Sequence, residues 1–122
     1  MNKHPTLLIE IKKDQFAEVD IGIVPLIKKM NDDDDITTIF SCEGDLESML
    51  EKESEIDLPY VLFRCESLAK LEKLSKSIFD FNEKNGYETS LQCSWIEDDG
   101  LTFCLNFDSK KTLLNYIQFK EK

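Results

Sequence analysis

The chain has 122 residues, 15 of them Lys or Arg and 25 Asp or Glu, for a formal net charge of −10, with 41% hydrophobic and 33% charged residues. That length suits one domain, residues 1–122, and the composition is that of a globular rather than a disordered chain. The negative charge repels phosphate backbones and anionic lipid surfaces, and the Lys pairs at Lys12, Lys28 and Lys110 are diluted by acids, so neither direct nucleic-acid binding nor membrane association is expected.

Thr6 to Lys12 alternates, with Leu7, Ile9 and Ile11 on one side and Leu8, Glu10 and Lys12 on the other, which predicts a half-buried strand. Asp20 then precedes IGIVPLIKKMN, in which Ile23, Leu26, Ile27 and Met30 share a helical face. Asp20 is the expected N-cap, and Pro25 falls in or near the first turn, where its missing N–H costs least. Asn31 to Asp35 reads as a turn and Ile36 to Cys42 as a strand ended by Gly44. Asp45 to Leu58 is acidic, with Leu46, Met49 and Leu50 at helical spacing, and predicts one or two short helical turns.

Pro59 opens PYVLFRC, another apolar strand. Ser67 is a suitable N-cap for a long helix in which Leu68, Leu71, Leu74, Ile78 and Phe81 step by three and four, and Asn85-Gly86 stops it. Tyr87 to Trp95 alternates as a strand, Asp98-Asp99-Gly100 makes a hairpin turn, and Leu101, Phe103, Leu105 and Phe107 line the inner face of the next strand. Trp95 is read with Tyr87, Phe103 and Phe107 as core. Ser109 caps a terminal helix carrying Leu113, Leu114 and Ile117. The order β-α-β-(short helix)-β-α-β-β-α predicts an α+β fold, a ferredoxin-like two-layer plait with an extra strand and a C-terminal helix.

No apolar run reaches the ~20 residues that span a bilayer, and Glu10 interrupts the first hydrophobic stretch too early for a secretory leader, so a cytoplasmic protein is expected. Cys42, Cys65, Cys93 and Cys104 lie far apart with no C-x-x-C pair, and are read as reduced thiols that pack as small apolar residues. No metal site and no cofactor are implied. His4, the one histidine, stands near the N-terminus of the sequence.

If the first strand, the first helix and ITTIFSC form a right-handed crossover, the two strands point the same way. Asp20 then shares a rim with Ser41, Cys42, Glu43 and Gly44, while Asp32 to Asp35 lies at the other end of the strand, roughly 23 Å away at ~3.3 Å per residue. The first rim is the candidate ligand site. Gly44 gives the backbone freedom to turn amides toward a ligand, Ser41 and Cys42 bring a hydroxyl and a thiol, and Asp20 and Glu43 bring carboxylates. Nearby carboxylates disfavour a reactive Cys42 thiolate, so nucleophilic catalysis is not expected. The face carrying Ser90, Gln92, Ser94, Thr102, Cys104 and Asn106 is mildly polar and lightly charged, which suits pairing with a second copy as a homodimer.

The stretches IVPLIKKMN, ITTIFSCEGD and PYVLFRCESLAKL resemble a group of small bacterial and phage proteins with a "PLI … TTxSCEG … PYVxF" layout. The likeness covers about half the chain and implies no activity to transfer. Thr37 to Gly44 is also similar to the TT-SSC-G stretch of wybutosine-synthesising tRNA methyltransferases, a resemblance that would imply S-adenosylmethionine and a tRNA guanosine.

The leading expectation from the residues is a non-enzymatic binding or interaction module, with Asp20, Ser41, Cys42, Glu43 and Gly44 contacting a small ligand or protein partner. A second is an acidic mimic of nucleic acid that occupies a basic partner protein, its charge drawn from Asp32–Asp35, Glu43, Asp45, Glu47, Glu51, Glu53 and Glu55. A third is an enzyme using Asp20 and Glu43 as an acid/base pair, which requires a perturbed pKa and a shared cleft.

Overall fold

In the computed structural model, residues 4–44 and 58–121 are described. The elements are β1 (Thr6–Lys12), β2 (Gln15–Asp20), a 3-10 turn (Ile21–Ile23), α1 (Val24–Asn31), β3 (Ile36–Cys42), β4 (Tyr60–Cys65), α2 (Leu68–Asn85), β5 (Ser90–Ile96), β6 (Gly100–Asn106) and α3 (Lys110–Lys120). The fold is α+β, with a two-stranded antiparallel sheet β1-β2 and a four-stranded antiparallel sheet ordered β3-β4-β6-β5. The short helical turns expected between Asp45 and Leu58 fall almost wholly outside the described residues.

Gln15–Asp20 is a strand that the sequence reading left within a connection. Asp14 takes a positive φ of 62°, a conformation aspartate tolerates in turns, and its amide donates to Glu10 Oε2 at 2.7 Å. The chain therefore folds back, and Ala17 and Val19 join Leu7, Ile9 and Ile11 on one face of a hairpin. The strand that enters α1 is thus β2, and β1 belongs to a different sheet from β3. A second irregularity lies in β3: Thr38 pairs with Phe63 but Phe40 pairs with Leu62. The bulge places Thr38 inward and leaves Phe40 exposed, although unbroken alternation would put both on one face.

One face of the larger sheet carries the rows Val61–Leu105–Leu91 and Phe63–Phe103. Leu26, Ile27 and Met30 of α1, Ile78 and Phe81 of α2, and Leu113 and Tyr116 of α3 join these strands in a single core. The expected caps hold for two helices: Ser67 accepts from the Lys70 amide and Ser109 from the Thr112 amide, and Gly86 closes α2 at φ 73°. Asn31 is not part of a solvated turn. It is the last residue of α1, buried, and its amide donates to Ile27 O and Thr38 Oγ1 while its Oδ1 accepts from Thr38 N, which locks α1 to β3.

Trp95 is not core. It is 75% exposed and stands opposite Leu101, itself exposed, near the tip of the β5–β6 hairpin. Alternation places both on the face that carries Leu91 and Leu105, but it carries no sign that this end of the face is left exposed. No helix among the described residues is long and apolar enough to cross a membrane.

Candidate functional site

The C-terminal ends of β2 and β3 meet, so Asp20 and the Ser41–Gly44 corner do share one place. β2 supplies the incoming strand that the crossover argument had given to β1. Asp20 does not cap a helix: neither it nor Ile23 makes a side-chain cap hydrogen bond. Its Oδ2 instead accepts from the Glu43 amide at 3.0 Å. The isolated sequence favours the cap because Asp precedes the helix, but the carboxylate instead accepts from an amide 23 residues away, just past the end of β3.

Glu43 is turned inward and only 7% exposed. Its Oε1 accepts from the Gly22 amide at 2.6 Å, and its Oε2 meets Lys110 Nζ at 2.8 Å and His4 Nδ1 at 3.4 Å. Burial alone pushes the Glu43 carboxyl up, but hydrogen bonds from Lys110 and Gly22, with the nearby charges of Lys110 and His4, hold it below the usual carboxylate range. A Cβ at Gly22 would lie 2.5 Å from Glu43 Oε1, so any larger residue there displaces the Glu43 carboxylate. The Gly44 amide donates to Cys42 Sγ at 3.4 Å, and Gly44 itself takes a φ of 83° as the chain leaves the corner. Ser41 stands opposite Val61 in the ladder and Cys42 opposite Tyr60, both half-buried.

His4, Gly22 and Lys110 complete this corner, and sequence reasoning missed all three. The signal for His4 was indirect. Thr6 pairs with Asp20, and the Ile21 amide donates to Pro5 O at 3.0 Å, so His4 is delivered to the site once β2 is known to be a strand. His4, Asp20 and Cys42 each offer a ligand atom, and these atoms lie within 4.8 Å of one another.

The aspartate run is held at the other end of β3. Asp33 Oδ1 accepts from Lys70 Nζ at 2.7 Å and from the Asp35 amide at 2.9 Å, and Lys70 also pairs with Asp35 at 3.0 Å. The Lys70 hydrogen bond, above all, holds the Asp33 carboxyl below its ordinary range. Lys12 donates to the carbonyls of Asn31 and Asp33, both at 2.7 Å. The cations that offset this run come from β1 and α2.

A cleft of about 300 Å³ opens between α1, α2 and α3. Its buried lining is Leu26, Met30, Ile36, Leu105 and Tyr116, with Leu74 half-buried beside them. Lys29, Lys70, Lys73 and Lys120, exposed or half-buried, stand around it together with Asp33. Among the described residues, Lys29, Lys73 and Lys120 have no carboxylate within ion-pair distance. Burial pushes the Lys120 ammonium down, and the like charge of Lys29 adds to that. No sequence motif marks this cleft, because its lysines come from three helices and each reads alone as a solvated charge. No protein-family model, curated protein or solved structure matches the chain.

Proposed function

We propose that the chain is a non-enzymatic binding module that takes an amphipathic organic anion in the cleft between α1, α2 and α3. One observation carries this reading: a protein of charge −10 gathers Lys29, Lys73 and Lys120, none of them ion-paired among the described residues, around an apolar cavity of about 300 Å³. Like charges converge at a cost unless something negative joins them, and Lys120 already feels Lys29. A small apolar pocket with a few convergent polar groups is the usual form of a small-molecule site. The alternative acid/base role for Glu43 is opposed by its lowered pKa and its hydrogen-bonded engagement with Lys110 and Gly22. The nucleic-acid-mimic reading is weakened because Lys70 offsets part of the Asp33 and Asp35 charge and Lys110 offsets that of Glu43. The helices share one core with one face of the larger sheet, a two-layer arrangement that a ferredoxin-like plait also has.

Titration calorimetry with octanoate and with octanol tests the cleft. Octanoate is expected to bind at least about tenfold tighter than octanol, and the Lys29→Met, Lys120→Met double variant should erase that preference. Equal binding of the two probes, or an undiminished preference in the double variant, removes the cleft as an anion site.

A second reading concerns assembly. β5 is a seven-residue edge strand without a charged residue, SLQCSWI, although exposed edges are ordinarily protected by charge, proline or brevity. Turned antiparallel on a copy of itself about Cys93, it sets Leu91 against Trp95 of the partner on one face, and on the other Gln92 against Ser94 and Ser90 against Ile96. This self-complementarity supports a homodimer joined along β5, extending the sheet across a two-fold axis. Light scattering should then give twice the chain mass for the wild type and the single-chain mass for Cys93→Lys. A wild type that stays monomeric up to its solubility limit rules the pairing out.

A further inference from the structure

We propose that His4, Asp20 and Cys42 form a zinc site at the corner where β2 and β3 end, separate from the lysine-lined cleft. The three donors are an imidazole nitrogen, a carboxylate oxygen and a thiol sulfur, each half-buried and each from a different part of the chain. Their ligand atoms lie within 4.8 Å of one another. Tetrahedral zinc, with bonds of roughly 2.0–2.3 Å, needs its ligand atoms about 3.3–3.8 Å apart, so a closure on the order of 1 Å by side-chain rotation suffices. One thiolate and one imidazole favour zinc over the hard cations calcium and magnesium.

The surrounding hydrogen bonds fit the same role. Two consecutive amides hold the two anionic donors: Glu43 N–H donates to Asp20 Oδ2 at 3.0 Å, and Gly44 N–H donates to Cys42 Sγ at 3.4 Å. The second of these bonds places a backbone donor on the sulfur from only two residues away, so the corner's own turn holds the Cys42 side chain in place. His4 Nδ1 lies 3.4 Å from Glu43 Oε2, which sets a carboxylate beside the imidazole as in the carboxylate–histidine pairs that orient rings in metal sites. The charges also close. Zn²⁺ balances Asp20 and the Cys42 thiolate, while Glu43 is balanced by Lys110 at 2.8 Å. A donor set that is electrostatically awkward for a bare thiolate becomes favourable once a cation sits between the two anions. Three protein ligands leave a fourth position for water or an incoming donor, the open form of zinc site.

Chelator-treated, untagged chain titrated with Zn²⁺ tests the assignment, with Co²⁺ as the spectroscopic probe. One Zn²⁺ per chain is expected, along with a thiolate-to-cobalt charge-transfer band. Cys42→Ser should abolish that band, whereas Cys104→Ser should retain it. His4→Gln removes a donor near the N-terminus outside the regular strands. It should weaken Zn²⁺ binding by more than the ~10–100-fold typical of losing a supporting residue, with the far-ultraviolet dichroism unchanged. Failure of the wild type to bind Zn²⁺, survival of the band in Cys42→Ser, or a loss of no more than about 100-fold in His4→Gln each overturns the site.

Discussion

Replacing Glu43 by alanine is expected to destabilise the protein by about 3–5 kcal/mol, the usual consequence of removing one partner from a buried ion pair. The side chains of Glu43 and Lys110 are 9% and 16% exposed, so water replaces little of what is lost. The substitution takes a counter-ion from Lys110 and an acceptor from the Gly22 amide, at a point where the 3-10 turn, β3 and α3 converge. The same carboxylate gives stability a pH dependence with a definite sign. Its folded pKa lies below the unfolded value of about 4.5, so acidification protonates the unfolded chain first. The stabilisation is therefore complete above that value and is lost as pH falls through the lower folded one. Urea unfolding at neutral and acidic pH checks both points. Glu43→Gln should show a shallower acid decline than the wild type, and parallel declines would show that Glu43 does not carry this effect.

Phe81→Ala should cost a further, independent amount of about 3–5 kcal/mol. Phe81 is 1% exposed and is the hub of the aromatic core: its ring centroid lies 5.3 Å from Tyr87, 5.1 Å from Tyr116 in an edge-on arrangement, and 5.3 Å from Phe119. Deleting it opens a cavity between α2, α3 and the segment leading into β5. Phe79, two residues earlier on the exposed side of α2, provides the control, since Phe79→Ala should stay within about 0.5 kcal/mol of the wild type. Thermal or urea melts of both variants decide it, and similar losses at the two positions would mean that α2 is turned the other way.

Much of the fold was legible because its signals are local. The periodic Leu71, Leu74, Ile78 and Phe81 oriented α2, Ser67 and Ser109 capped their helices, and Gly100 turned the β5–β6 hairpin. The meeting of Asp20 with the Ser41–Gly44 corner was expected from a crossover between β1 and β3, but it comes about through β2, in a sheet separate from that of β3. The role of Asp20 was not legible. A cap and a long-range acceptor look identical in sequence, and which amide arrives is a matter of tertiary geometry. β2 escaped notice because Phe16 and Glu18 break the apolar contrast on its exposed side, and because its turn depends on one aspartate at positive φ rather than on glycine.

The sequence by itself determined the α+β class, most element boundaries, the inward face of most of them and the separation of the two acidic regions. Each of these rests on periods of 2 or 3.6 residues and on turn chemistry a few residues long. Only the tertiary structure decided that Trp95 is exposed, that lysines from three helices ring one apolar cleft, and that Lys110 reaches across 67 residues of chain to Glu43. It likewise brought His4 beside Asp20 and Cys42. Such encounters are set by how whole elements pack, and local periodicity carries no record of which distant side chain fills the space opposite.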